Sequence, residues 1–507
     1  MIATLLAVLP GGFVRNLPAL QVVVPLLAAA ACLMIRPRRW IWGWAVLATW
    51  AALGISVLQL HRVLTTGPVS YHIGDWPPPW GIEYRLDALG AWVLLLVCVI
   101  GAAVAAYARK SVEREVEPNR IPLFYTAFLL CFTGLLGITS TGDVFNLFVF
   151  LEISSISTYA LVSMGQDRRA LTAAFRYLMM GSIGATFIVI GIGMMYAVTG
   201  TLNMADLSRL LPAVAATRTI RVAFGFISVG VALKLALFPL HLWLPNAYTF
   251  APSTVTAFVA STSTKVAVYM LLRFFFTVFG AAFSFDVMRL DWVLLPLALV
   301  AVVVTSLVAI FQVNVKRMLA YSSLAQIGYM ILGISFATAT GVTAATLHLF
   351  NHALMKGALF MAVGCVMYRV GSVHIDAMAG LGRRMPWTMG AFVTAGLSLV
   401  GVPTTVGFIS KWYLIQAALE RGWWPVAVVV LFTSLLALVY VWRVVEVAYF
   451  RKFPEPGDGA DGVVEAPLAL LIPTWALVAL NLVFGIDATF TTGVARRAAA
   501  ALLGGHG

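Results

Sequence analysis

The chain has 507 residues, 61% of them hydrophobic and only 10% charged. Soluble domains sit near 25% charged and 45–50% apolar; with a mean hydropathy of +0.96, the composition excludes a string of soluble domains and points to one membrane bundle. The net charge of +13 would also suit a nucleic-acid binder, but the basic residues stand in short loops between apolar runs, so they read as topology signals and no nucleic-acid partner is expected.

Met1–Pro10 lacks the positive n-region of a signal peptide and is expected to stay on the protein. Apolar runs long enough to cross a hydrocarbon core then recur, about fourteen in all. Their cores lie near 18–35, 41–60, 88–107, 121–138, 144–163, 173–198, 221–243, 253–280, 292–311, 318–337, 341–368, 387–417, 424–448 and 465–485. Alternate loops carry the basic residues: Arg36, Arg38 and Arg39; Arg109, Lys110, Arg114 and Arg120; Arg168 and Arg169; Lys316 and Arg317; Arg383 and Arg384; Arg451 and Lys452. That side is assigned to the cytoplasm of a prokaryotic inner membrane, which places both termini outside. The Pro- and Trp-rich loop Tyr71–Trp80 reads as part of an interfacial aromatic belt. Cys32, Cys98, Cys131 and Cys365 all fall within spans, without a CxxC pair, so no disulfide framework, metal or cofactor is expected. The short loops leave no room for a nucleotide domain, and chemistry that drives transport must come from a partner.

A charge at the bilayer centre costs about 2.5–3.5 kcal/mol even on the milder insertion scale, so ionisable residues inside these spans are informative. Glu152 lies nine residues past Asp143, about 13 Å deep. Lys234 sits midway along the seventh span, where the two could neutralise each other; the bland alternative is a structural ion pair. Five residues on, Pro239 and then His241 mark a broken helix, because proline lacks the N–H that the helix ladder needs. Lys265 follows Ser261, Thr262, Ser263 and Thr264, hydroxyls able to hold water beside a lysine. His348, His352 and Lys356 stand at i, i+4 and i+8 with Asn351 among them, one helical stripe about 6 Å between members. Histidine suits proton exchange near neutral pH. Zinc on the two histidines is set aside for want of a nearby Cys or carboxylate. The twelfth span is broken at Pro403, and Lys411 ends the series. Asp167 and Arg176, near a helix start, read as capping and topology.

Two broken spans, each with a lysine near its proline and five spans apart, suggest repeats of five helices that enter the membrane from opposite sides. The expected fold is an all-α polytopic membrane protein with inverted repeats over helices 4–8 and 9–13. The divisions expected are 1–120 for three N-terminal helices, 121–282 and 283–450 for the two half-channels, and 451–507 for the last helix and tail.

Several segments carry a resemblance. They are Phe145 to Ile153; Ala232-Leu233-Lys234 and Phe238 to Ala247; Ala251-Pro252-Ser253 with Ser263 to Val266; Lys316 to Ser323; and His348 to Gly357. Over roughly residues 120–420 the chain resembles the proton-translocating antiporter-like subunits shared by complex I, membrane-bound hydrogenases and Mrp cation/proton antiporters. The resemblance implies that Glu152 and Lys234 pair in the first half-channel, that Lys265 is the central lysine, that His348, His352 and Lys356 continue the axis, and that Lys411 leads outward. One departure is Gln326, where relatives often carry a histidine; an amide cannot take up a proton in this range. No long lateral C-terminal helix is expected. The segments 143–159 and 200–207 look most like the Mrp D subunit, which implies Na+ and H+ exchange within a multi-subunit complex and no catalytic redox site of its own. The alternatives are a proton-pumping subunit of complex I or a related hydrogenase, and, in another class, a stand-alone transporter of a small solute.

Overall fold

A computed structural model describes residues 10–35, 39–452 and 463–504. The expectation for the stretch before Pro10, and the basic residues Arg36 and Arg38, lie outside the described residues. Among those described, twelve helices are long and apolar enough to cross a membrane. The remaining two expected spans are the broken ones, each split into two half-helices. Arg218–Leu235 is followed after a gap by Trp243–Phe250, and Pro386–Val400 by Val406–Glu420.

Both breaks begin before their proline. Ala236 adopts φ 58° and Gly401 φ 93°, left-handed conformations that end a helix. Pro239 and Pro403 follow within a few residues and bar a return to the same ladder. The groups freed by the breaks find partners. Trp243 Nε1 donates to the Leu233 carbonyl at 3.2 Å, and Lys411 Nζ to those of Leu399 at 3.0 Å and Val400 at 2.8 Å. Irregular backbone at membrane depth is tolerated where protein covers it in this way.

Ser253–Leu272, Val315–Ser335 and Ala339–Val370 form the centre of the bundle and are buried almost all round. Arg169–Thr199, Asp291–Ile310 and Trp424–Phe450 turn apolar faces outward, as helices facing acyl chains do.

One local arrangement occurs twice. Asp143 caps Val144–Ser163 by accepting from Asn146 N at 2.7 Å, while Val144 N donates to Leu202 O and Met204 N to Gly142 O. Asn314 caps Val315–Ser335 by accepting from Arg317 N at 3.1 Å, while Val315 N donates to Val373 O and Ile375 N to Val313 O. Gly200 and Gly371, both at positive φ, turn the two preceding helices into these contacts. An odd number of spans separates the two copies, so they lie at opposite ends of the bundle.

The Tyr71–Trp80 segment, expected as an interfacial loop, joins two short strands. Val69–His72 pairs antiparallel with Glu83–Leu86, and Trp76 and Trp80 are exposed between the strands. The ribbon is tied down by Glu83, which accepts from Asn203 Nδ2 at 2.8 Å.

Candidate functional site

Lys234 occupies the last turn of its half-helix, where unpaired carbonyls present the negative end of the helix dipole to a cation. Its ammonium lies 3.3 Å from Glu152 Oε1 and donates to Ser155 Oγ at 2.8 Å. Lys234 is buried and Glu152 partly so. Gly184 on Arg169–Thr199 lets the lysine helix approach: a Cβ there would touch the Gly230 carbonyl and the Leu233 and Lys234 side chains.

Lys265 is fully buried in the central helix and has no carboxylate partner among the described residues. Its ammonium donates to the Ala260 carbonyl and lies 3.4 Å from Thr264 Oγ1. The His348, His352 and Lys356 stripe faces inward as the spacing predicts. The two imidazoles lie parallel with ring centroids 5.9 Å apart. His348 Nδ1 meets Ser410 Oγ at 2.9 Å, while His348 Nε2 and both ring nitrogens of His352 meet no protein partner. His352 is electrostatically coupled to Lys265 and Lys356, and His348 to Lys265 and Lys411. Lys356 donates to Leu319 O at 2.8 Å and to the Ser322 hydroxyl.

Lys411 is buried, although its place near a span end left a solvated role open. It donates to the carbonyls of Leu399 at 3.0 Å and Val400 at 2.8 Å and to Ser434 Oγ at 3.0 Å. Its ammonium stands 5.2 Å from the centre of the Tyr329 ring, which in turn packs edge-on to His348. Gln326 is buried on the same helix, between Ser322 and Tyr329, with an unpartnered Oε1. Near the first break, His241 stacks on Phe238 and its Nδ1 meets no protein partner. Asp167 pairs with Arg169 at the surface, where the Arg169 hydrogen bonds hold its carboxyl below the usual range.

Sequence reasoning missed three groups. Ser155 and Tyr159 share a helix face with Glu152 at i+3 and i+7, a periodicity that could have exposed them. Tyr159 faces Ser155 and packs edge-on to Tyr177 at 4.7 Å. Tyr177 neighbours Tyr248, whose hydroxyl faces that of Thr264 without closing a hydrogen bond. Side chains bearing hydroxyls therefore lie between Lys234 and Lys265, without closing a continuous chain of hydrogen bonds. Lys316, expected in a solvated loop, is instead buried in the first turn of its helix and donates to Ala251 O at 3.1 Å. Glu115 is buried at the start of the Lys265 helix, accepting from Ser253 N at 2.9 Å and Oγ at 3.0 Å. Glu115 and Lys316 line a cavity of about 280 Å³ among the loops that follow the third, fifth, seventh, ninth and eleventh spans, the face of the basic loops.

Residues 141–437, more than half of the chain, match the family model described as NADH:quinone oxidoreductase/Mrp antiporter, TM. The chain is 42% identical over 476 residues to NADH-quinone oxidoreductase subunit N of Desulforudis audaxviator, covering 91% of this chain and 94% of that one. It resembles a chain of the archaeal membrane-bound sulfane sulfur reductase at 32% identity and TM-score 0.87, over 97% of this chain and 98% of that one. It also resembles a chain of the Mrp complex from Dietzia sp. DQ12-45-1b at 26% identity and TM-score 0.88, with the same coverage. These relatives are subunits of multi-subunit membrane complexes. The chain belongs to the NADH:quinone oxidoreductase/Mrp antiporter transmembrane family.

Proposed function

We propose that this chain carries protons through a membrane complex along a file running from Glu152 and Lys234, through Lys265, to His348, His352, Lys356 and Lys411. The observation that carries this reading is Lys265, fully buried at the centre of the bundle with no carboxylate beside it among the described residues. It lies between the Glu152–Lys234 pair and the two histidines. A buried lysine without a counter-charge is costly unless it exchanges its proton.

The Glu152–Lys234 pair is the control point. With Glu152 charged, Lys234 keeps its proton; drawing the carboxylate away releases the proton toward Lys265. Moving a charge against 100 mV costs about 2.3 kcal/mol, comparable in size to the free-energy change when a buried ion pair is shifted. The cavity of about 280 Å³ at Glu115 and Lys316 serves as the entrance. Lys316 lies about 4.5 Å along its helix from Leu319, whose carbonyl holds Lys356. The paired caps at Asp143 and Asn314 support two inverted five-helix half-channels, 121–282 and 283–450. The basic loops face the cytoplasm in this reading, and both termini the outside.

Within a complex the chain is a transport subunit. Motif likeness favours an Mrp-type assembly exchanging Na+ for H+, whereas the identity to a quinone oxidoreductase subunit N favours redox-driven pumping. The native complex, purified with its partners and reconstituted in liposomes, tests both levels. Proton movement that depends on Lys265 supports the file. Partners bearing iron–sulfur clusters select the redox assembly, and their absence with Na+-driven proton movement selects the Mrp type. Uptake of a small solute by the isolated chain would overturn the proposal.

A further inference from the structure

On the face opposite the basic loops, two cavities meet. One, of about 770 Å³, is walled by Arg85, Asp87, Arg273 and Arg497 together with Leu64, Met204 and smaller residues. The other, of about 650 Å³, is walled chiefly by Leu211, Phe276, Phe279, Phe283 and Val287. Ser208, Thr277 and Ala501 line both, so a polar chamber opens into an apolar one.

The charges in the polar chamber do not cancel. Asp87 is taken up by Arg273, which holds it with two guanidinium nitrogens, one of them 2.6 Å from Oδ2. Arg85 and Arg497 form no ion pair with a carboxylate among the described residues; Arg497 donates to the Leu64 carbonyl at 3.0 Å. The acid in the wall of the apolar chamber, Asp286, is exposed, as are Arg85 and Arg497, but it lines the other chamber. Two positive charges therefore face the polar space.

We propose that the joined chambers bind one membrane phospholipid with an anionic headgroup, its phosphate between Arg85 and Arg497 and an acyl chain along Phe276, Phe279 and Phe283. Guanidinium groups match phosphate oxygens in a planar fork. A soluble anion would leave the phenylalanine-lined chamber unused, and an uncharged apolar ligand would leave both arginines uncompensated. An anionic amphiphile satisfies both, and the surrounding bilayer supplies it. The lipid would staple the C-terminal helix Thr489–Leu502 to the Val69–Leu86 ribbon and the Met204–Val214 helix, segments far apart in sequence.

The test uses the assembled complex in phosphatidylcholine nanodiscs, titrated with phosphatidylglycerol, with retained lipid counted by native mass spectrometry. The expected result is one phosphatidylglycerol per copy of this chain, bound about tenfold or more tightly than phosphatidylcholine, equivalent to about 1.4 kcal/mol. R85Q/R497Q abolishes the preference, and R85K/R497K, which keeps the charge but loses the fork, retains part of it. F279W, which fills the apolar chamber, lowers retention with both arginines in place. Should the glutamine pair fail to assemble, F279W and the lysine pair decide the matter. Unchanged retention in F279W, displacement of the lipid by equimolar inorganic phosphate, or a map of the complex with partner side chains in these chambers would each overturn the proposal.

Discussion

Lys234 and Lys411 both stand at the break that ends the first half-helix of their span. Lys234 does so from that half-helix itself, one residue before Leu235 ends it. Lys411 does so from the second half, reaching back to the carbonyls of Leu399 and Val400. Lys411 uses a helix terminus in place of a carboxylate, whereas Lys234 has Glu152 beside it.

Lys234→Ala or Glu152→Ala is expected to abolish proton-coupled transport, by at least about a hundredfold, while the complex still assembles. Removing one partner of a buried pair costs about 3–5 kcal/mol of local stability. Transport in proteoliposomes, with subunit content checked by gel filtration, measures this. Normal coupling in either variant would remove the pair from the path.

Tyr159→Phe and Tyr248→Phe keep the ring packing and delete only the hydroxyls between Lys234 and Lys265. Each is expected to slow proton movement several-fold while changing stability by no more than about 1 kcal/mol. Parallel measurement of transport rate and thermal midpoint separates the two effects, and unaltered rates in both variants would show that the hydroxyl run carries no protons.

Gln326→His should remain active, because the site is buried beside Ser322 and Tyr329 and its Oε1 already lacks a protein partner. A histidine there adds a group able to exchange a proton near neutral pH. Complete loss of transport would mean that the axis does not tolerate a titrating group at this point.

Gly407→Ala should disrupt the second break. A Cβ at Gly407 would stand 1.8 Å from the Ser398 carbonyl oxygen, so the two half-helices would have to separate and carry Lys411 off its carbonyls. A stability loss of about 1–3 kcal/mol, the scale for overpacking, with loss of transport is expected. The thermal midpoint of the purified complex checks it, and an unchanged midpoint would show that the half-helices can slide apart freely.

The spans, the two breaks and the place of most ionisable residues along their spans were legible in the sequence. Each is a one-dimensional property: the length of an apolar run, a proline within it, a charge counted inward from its end. Placing Lys411 near a span end left its burial undecided, because snorkelling to the interface and folding back onto a half-helix start from the same position. Lys316 looked like a loop residue for the same reason; the packing of Val315–Ser335 against the segment around Ala251 draws it inside.

The sequence by itself therefore settled which ionisable residues fall within apolar spans. Only the tertiary structure decided what each one faces, since that depends on the rotation of one helix against another far away in the chain. Ser155 meets Lys234, Ser410 meets His348 and Ser434 meets Lys411. A hydroxyl is inexpensive to bury and common in membrane helices, so its identity announces nothing until packing sets it beside a charge.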